Sequence, residues 1–536
     1  MHNLLTDPLI GVRTPSGERR VSLPELLALL AQGEIDSYTG LRPHQADPWH
    51  VFLVQLAASI QARHPAAALP TDPSYWREGL LDLADGLETA WSLVVDDVTK
   101  PAFLQHPWTS WEAEAPHYGV KTVRGKTVFD PKASSPDELD VLVTAKNHDV
   151  KMARFGPEAI DAWIYALLLL QTTSGFLGHG NYGIVRMNGG FASRPIVAWV
   201  ESTHPSRRFM GEASRLRDLR ARVCDEHHYQ TRGIALTWLT SWDRRDHQHS
   251  LQQLEPWFIE AARPIRLRAP VSGAIIALGS TSRARQIGPK SVENGDVGDP
   301  WVPLNVQDKK KGRSALTLSA DGFTPQRLTD LLFEQGFELT PIQKPQPGDK
   351  AGWFVASCLV RGQGTTEGFH HIELSVPPKA RIALLAKERR ETLAHLAQHL
   401  LTDTNDVQKA LGTALTVLAK GGPDKAESDR NVIERWVERA RADFGRHWKF
   451  TYFPTLWRGA DEDFDGVRAA WQQTLVDQAQ ALLDEAVMRL PLPANRYWRA
   501  ITHAQGALRG MIHKQGLPMP GANAPEHTDS LEDLAV

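Results

Sequence analysis

"NLLTDPLIGVRTPSGERRVSLPELLALLAQG", residues 3–33, changes periodicity partway along. Two short runs, LIGVR before and RRV after, flank the turn signal TPSGE at 14–18 and read as two paired strands. From Ser22 onward the apolar residues recur at helical spacing, so a helix is expected to start there. The first segment therefore already mixes strand and helix.

The rest of the chain extends that pattern. DPWHVFLVQLAASIQARH (47–64) and WREGLLDLADGLETAWSLV (76–94) both carry apolar residues at helical spacing and predict two helices. DPKASSPDE (130–138) reads as a loop. Residues 192–375 alternate β-like runs (RPIVAWV, GAIIALG, ALTLSA, GWFVASCLV, HHIELSV) with helices and Gly/Pro-rich connections. Near Pro377 the helical period takes over. Leu393, Leu396 and Leu400 form one stripe, and Val407, Leu411, Leu415 and Leu418 a second. Trp471, Leu475, Leu482 and Ala486 form a third, and Trp498, Ile501, Leu508 and Ile512 a fourth. The expected fold class is α+β: a large irregular mixed domain over 1–376, then a C-terminal four-helix-type bundle over 377–515. The polar, acidic residues 516–536 are expected to be disordered.

Composition narrows the function. With 536 residues, 42% hydrophobic and 23% charged, the chain reads as an ordinary soluble protein of several domains. A net charge of −3 excludes a freestanding, strongly basic nucleic-acid binder, so any such binding must come from local patches. Two cysteines, Cys224 and Cys358, make neither a disulfide framework nor a metal knuckle, and a reducing cytoplasm is the expected location. The start lacks signal-peptide character. The apolar run at 159–170 is too short to span a bilayer and reads as a buried helix. Seventeen tryptophans point to extensive aromatic packing or broad interaction surfaces.

Catalytic signatures are missing: there is no GxxxxGK[ST], HExxH, GxSxG or paired CxxC. TSGFLGHGNYGIVRMNGG (173–190) packs six glycines into eighteen positions, which marks backbone that bends sharply or approaches something closely. It follows a helix-like run, whereas a dinucleotide fingerprint needs a strand before it. The 21 histidines include the pairs His227–His228, His247/His249 and His370–His371. Neighbours in a strand point to opposite faces, so His370 and His371 are poorly placed to chelate one ion.

Three stretches combine turn residues with cations or amides. VTAKNHDVKMARF (143–155) carries Lys146, Lys151 and Arg154, and NVQDKKKGRS (305–314) carries Lys309, Lys310, Lys311 and Arg313. VRGQGTTEGFHHIEL (360–374) reads as a hairpin with Gln363 at its tip. Lysines on turns suit phosphate contacts, and an exposed glutamine suits base edges. On composition alone each reads first as a solvated loop. RRFMGEASRLRDLRAR (207–222), with six arginines, reads either as a nucleic-acid grip or as an exposed helix.

Taken in order, these features resemble the CasA family, large subunits of the type I-E CRISPR surveillance complex Cascade. NLLTDPLIGV (3–12) looks like the family's opening. LDVLVTAKNHDVK, the glycine stretch ending RMNGG, DPWVPLNVQDKKKG, the glutamine-tipped hairpin and a helical bundle follow in the family's order, covering residues 3–515. The resemblance implies a non-catalytic DNA-recognition subunit without cofactor or metal. Guide pairing would read the target, and the protein would read a short flanking motif, the PAM, in duplex DNA. It further implies a wedge at Gln363 between Gly362 and Gly364, and a DNA-contacting lysine at Lys310 or Lys311. A glycine loop would span Gly178–Gly183, with Gly180, Asn181, Tyr182 and Gly183 nearest the DNA. Lys146, Asn147, His148 and Lys151 would contact the complex near the 5′ end of the crRNA. The implied partners are the other Cascade subunits, the crRNA, double-stranded target DNA and a helicase–nuclease recruited in trans, with no membrane. Two departures from the family pattern stand out. Gly362 replaces an amide residue, and Asn181 and Tyr182 replace glycines. The alternatives are a metal-dependent nuclease using His148, His370 and His371, or a purely structural scaffold.

Overall fold

The computed structural model describes residues 2–109, 129–142, 160–244, 248–269, 274–288, 294–307, 312–349, 352–362, 365–422, 430–489 and 494–521. Among these are eleven α-helices and fourteen strands. The chain divides into two units, Met1–Thr324 with Glu334–Ser375, and Pro325–Phe333 with Val376–Val536.

The opening segment folds as its pattern predicts. Strands β1 (Ile10–Thr14) and β2 (Gly17–Val21) pair antiparallel, with Thr14 opposite Gly17 at the turn. Helix α1 (Leu23–Gln32) starts on a capping box. The Glu25 carboxylate accepts the Ser22 backbone N–H at 2.7 Å, and the Ser22 hydroxyl accepts the Glu25 N–H at 3.5 Å. The helix stops at Gly33, whose φ of 87° is left-handed. β3 (Ser37–Tyr38) adds to β1.

Helix α2 (Pro43–Arg63) runs through the middle of the first unit and is buried on nearly all sides, with Trp49, Phe52, Leu53, Leu56 and Ile60 in the core. The helix expected over 76–94 is broken. α3 (Pro73–Leu83) ends before Asp85 and Gly86, both at positive φ (51° and 78°), and a short 3₁₀ turn at Glu88–Trp91 follows. Two consecutive left-handed residues cannot continue a right-handed helix. In the segment read as a loop, β4 (Asp130–Ala133) is a strand instead.

The 159–170 run is α4 (Ile160–Thr173), a buried helix as expected. β5 (Ile196–Val200) and α5 (Pro205–His227) follow. Next come β6 (Ile234–Leu236), β7 (Leu254–Ile259), β8 (Ile265–Arg268), β9 (Ile276–Gly279), β10 (Leu304–Asn305), β11 (Ser314–Ala315) and β12 (Phe337–Glu338). The long strands β13 (Gly352–Gly362) and β14 (Thr365–Val376) complete the set. The sheets are small, in the orders β2-β1-β3, β11-β10-β12, β14-β13-β5, β4-β9-β8 and β6-β7.

The second unit is helical: α6 (Pro325–Leu332), α7 (Pro378–Leu385), α8 (Lys387–Ala419), α9 (Arg430–Arg458), α10 (Phe464–Arg489) and α11 (Tyr497–Lys514). α8 packs against α9, α10 and α11, burying Leu393, Leu396, Leu400, Val407, Leu411, Leu415 and Leu418. The glycines at 421 and 422, both at positive φ, end it. Two expected stripes each differ at one residue. Leu483 rather than Leu482 is buried on α10, and Trp498 is 76% exposed at the start of α11. The bundle is pinned by a bidentate Arg468–Asp403 pair (2.8 and 2.9 Å) and by the Trp471 indole N–H on the Leu400 carbonyl (3.0 Å). Among the described residues no helix is long and apolar enough to cross a membrane.

Candidate nucleic-acid interface

The glycine stretch leaves α4 as a folded-back loop. The Ile184 N–H reaches the Ser174 carbonyl (3.0 Å), Phe176 N–H reaches Gly190 (2.9 Å), and Leu177 and Asn181 close a turn (2.9 Å). A Cβ on Gly183 would lie 3.0 Å from the Gly175 carbonyl carbon, and one on Gly175 would lie 2.2 Å from the Ala192 oxygen. Gly180, at φ 80°, is held against Thr281, and its carbonyl accepts the Ser282 N–H (3.0 Å). These glycines therefore let the backbone pack on itself. Gly180 and Gly183 are buried, whereas His179 is exposed and Gly178, Asn181 and Tyr182 are half-buried. The outward surface of the loop is thus Gly178, His179, Asn181 and Tyr182.

A guanidinium clamps this loop from below. Arg263 donates to the carbonyls of Tyr182 and of Gly175 (2.9 Å), while Gln171 brackets its own backbone N–H (2.6 Å) and carbonyl (2.9 Å). Burial lowers its pKa to about 10 despite nearby Glu260. Glu260 is itself buried, which raises its carboxyl to about 7, although the Val185 N–H (2.9 Å) and Arg186 partly oppose the shift. Deeper still, Asp299 pairs with Arg194 (2.6 Å) and Arg186 (3.4 Å). Burial works against the Asp299 carboxylate, but the two guanidiniums outweigh it and hold its pKa below the usual range.

The C-terminal side of the stretch is tied to the strands flanking both other candidate elements. At its C-terminal side, the Ser193 N–H donates to the Leu359 carbonyl of β13, and the Ser193 hydroxyl accepts the Leu359 N–H (both 2.8 Å). β13 runs antiparallel to β5 and ends at Gly362, and β14 resumes at Thr365. Gln363 and Gly364 lie between these strand ends, outside the described residues. Within RMNGG, the Asn188 amide donates to the Ala315 carbonyl (2.8 Å) and accepts from the Thr317 hydroxyl (2.6 Å). Ala315 belongs to β11, which pairs with β10 (Leu304 opposite Ala315), so residues 306–313 connect two paired strands. Lys309, Lys310 and Lys311 fall in that connection and outside the described residues. The Lys146, Asn147, His148 and Lys151 segment is also outside them. The chain leading into it is fixed by buried Asp140, which accepts from the Leu142 N–H (2.9 Å), Gln45 (2.6 Å) and the His44 ring (2.8 Å).

The 207–222 segment lies on a helix that is exposed on one face and buried on the other. α5 buries Phe209, Glu212, Ala213, Leu216, Leu219 and Val223. Three of its arginines are committed inside the fold: Arg208 to Asp47 and Glu212, Arg215 to Asp349, and Arg220 to Glu255. Of the histidines in the nuclease alternative, His370 packs on Gly322 and His371 lies 3.8 Å from Asp47. His148 is outside the described residues. Among the described residues no group of three His, Cys, Asp or Glu side chains could hold a metal ion.

Sequence reading did not single out Arg263, Glu260, Arg186, Arg194 or Asp299, because scattered charged residues carry no motif. Arg361 was visible beside the hairpin tip but had no assigned role.

No protein-family model matches the chain, and no curated protein is similar to it in sequence. Solved structures are similar in fold. Thermus thermophilus CasA superposes with a TM-score of 0.65 at 13% identity, over 96% of this chain and 99% of that one. Cse1 from Acidimicrobium ferrooxidans gives 0.63 at 14% identity, over 96% and 98%. A chain of a CRISPR RNA-guided surveillance complex gives 0.57 at 13% identity, over 94% and 99%. Along nearly its whole length, this chain has the fold of the CasA and Cse1 proteins.

Proposed function

We propose that this chain is the non-catalytic large subunit of a type I-E CRISPR surveillance complex, which reads a short flanking motif in duplex DNA and starts strand separation. The observation that carries this reading is a convergence within the first unit. On its C-terminal side the glycine stretch is hydrogen-bonded through Asn188 to the strand leaving the lysine turn, and the chain just after it, through Ser193, to the strand leading to Gln363. Strands that flank two segments far apart in sequence thus meet beside a third, in a chain with the CasA and Cse1 fold.

In this reading Gln363, between Gly362 and Gly364, is the wedge. Gly180, Asn181, Tyr182 and Gly183 form the minor-groove probe, with Asn181 and Tyr182 making the contact and the two glycines shaping the backbone. The minor groove mainly distinguishes A·T from G·C, so such a probe tolerates several motifs. Lys310 or Lys311 takes a phosphate. Lys146, Asn147, His148 and Lys151 face the guide and neighbouring subunits, and a helicase–nuclease is recruited in trans. Inserting a side chain between base steps costs a few kcal/mol, which guide pairing offsets once it begins.

In the assembled complex, Gln363→Ala is expected to leave assembly intact and slow R-loop formation on linear duplex. Unchanged R-loop rates would remove the wedge. Lys310→Ala with Lys311→Ala should weaken motif-dependent binding and reduce its salt slope by about 1–2, since each phosphate contact contributes about 0.9. DNA cleavage by the purified chain with Mg²⁺ or Mn²⁺ would favour the nuclease alternative instead.

A further inference from the structure

Beneath the glycine loop lies a cavity of ≈ 240 Å³ whose lining includes Asn181 and Leu177 of that loop, Arg263, Arg361, Lys132 and Glu138. Its charge is unbalanced. Glu138, its acidic member, is occupied by the Ser134 backbone N–H and hydroxyl. Among the described residues the side chains of Lys132 and Arg361 make no hydrogen bond or ion pair. Arg263 is 3% exposed. Its terminal nitrogens are spent on loop carbonyls, and its Nε is buried with no partner, as is the Nε of Arg361. The Lys132 stem lies along Gly279, where an added Cβ would come within 2.6 Å of it, so the side chain is held beside the cavity.

Cations drawn out of water without a counter-charge are costly, and proteins rarely keep them where no anion binds. The cost registers on the two guanidiniums, where burial lowers the pKa of Arg263 and of half-buried Arg361, and Arg361 repels the Arg263 charge. Lys132, an exposed residue, is lowered by partial desolvation of its ammonium and by the Arg263 charge. Glu260 offsets the Arg263 charge only in part, since burial raises its own carboxyl to about 7.

We propose that this cavity binds a phosphate group, and that the phosphate comes from the backbone of the duplex DNA engaged by the loop above it. The site is large enough for a phosphate with several of its waters. Guanidinium and ammonium donors are the groups that recognise phosphate oxygens. Duplex DNA is favoured because the lining joins Asn181 of the glycine loop to Arg361, two residues before Gln363. A duplex touching loop and hairpin together brings its backbone to this point. The assignment rests on the DNA-reading function proposed above. It adds a contact that positions the duplex without reading sequence.

The test uses the full chain in its assembled complex, with Lys132→Gln and Arg361→Gln combined. The salt dependence of binding to a linear target duplex is expected to become shallower by about 1, which makes the wild type lose about 3.5-fold more affinity than the variant between 50 and 200 mM salt. The loss should be equal across flanking motifs, and Arg361→Lys should restore the slope. A single methylphosphonate at the contacted DNA phosphate should weaken the wild type and leave the double variant unaffected. If the double variant does not fold, Lys132→Gln alone, on an exposed stem, gives the same readout at smaller amplitude. An unchanged slope in a wild-type-like, motif-dependent complex would overturn the phosphate site alone. An effect confined to guide-RNA binding would overturn its assignment to DNA. Absence of motif-dependent duplex binding by the wild-type complex would overturn the functional reading as well.

Discussion

Glu260 shows how one buried side chain couples the loop to pH. Its folded-state pKa, about 7, lies above the ordinary 4.5, so the folded chain holds this proton more tightly than the unfolded chain does. Between about pH 4.5 and 7 the unfolded state ionises first, so this group's contribution to stability is present below 4.5 and is lost as pH rises to 7. The shift corresponds to about 3 kcal/mol. Glu260→Gln keeps an oxygen for the Val185 N–H and removes the charge. Its melting temperature should therefore depend less on pH across that window than the wild type's, and parallel curves would refute the assignment. Arg263, whose donors hold the Tyr182 and Gly175 carbonyls, cannot be replaced so mildly. Such residues were not legible in the sequence, because a buried arginine and a surface arginine have the same letter.

At the scale of elements, packing decides what periodicity alone leaves open. Leu411 sits at the inner face of α8, and the last stripe also gave Trp498 a core position that it does not occupy. Leu411→Ala should cost about 2–5 kcal/mol by leaving a cavity. Trp498→Ala should stay within about 0.5 kcal/mol, as for other surface changes. Denaturant titration of the two variants measures the difference, and equal losses would contradict the placement. The 76–94 segment fails as a single helix for a local reason, since Asp85 and Gly86 both take left-handed backbone. A DG pair inside an otherwise helical pattern was a readable breaker. The strand at 130–133 was not readable, because Asp-Pro-Lys-Ala has no strand character and pairs only because β9 lies beside it. The hairpin around Gln363 was readable, since two β-rich runs flanking a glycine-rich tip leave few alternatives.

At the scale of the whole molecule, the proposed subunit supplies selection rather than bulk affinity, which fits a net charge of −3. Omitting this chain from the complex should abolish discrimination among flanking motifs in a duplex library while pairing to single-stranded target persists. Motif preference surviving without it would place the reader in another subunit. The sequence by itself determined the class of fold, the capped opening helix and the helical second half. Each of these is written in local periodicity and turn chemistry, which act between residues close along the chain. Only the tertiary structure decided that the glycines at 175 and 183 pack on each other, that half the arginines of the 207–222 helix are spent on internal carboxylates, and that Lys132, Arg263 and Arg361 share one cavity. Those outcomes depend on which distant backbone and charge end up adjacent, and linear spacing does not encode that.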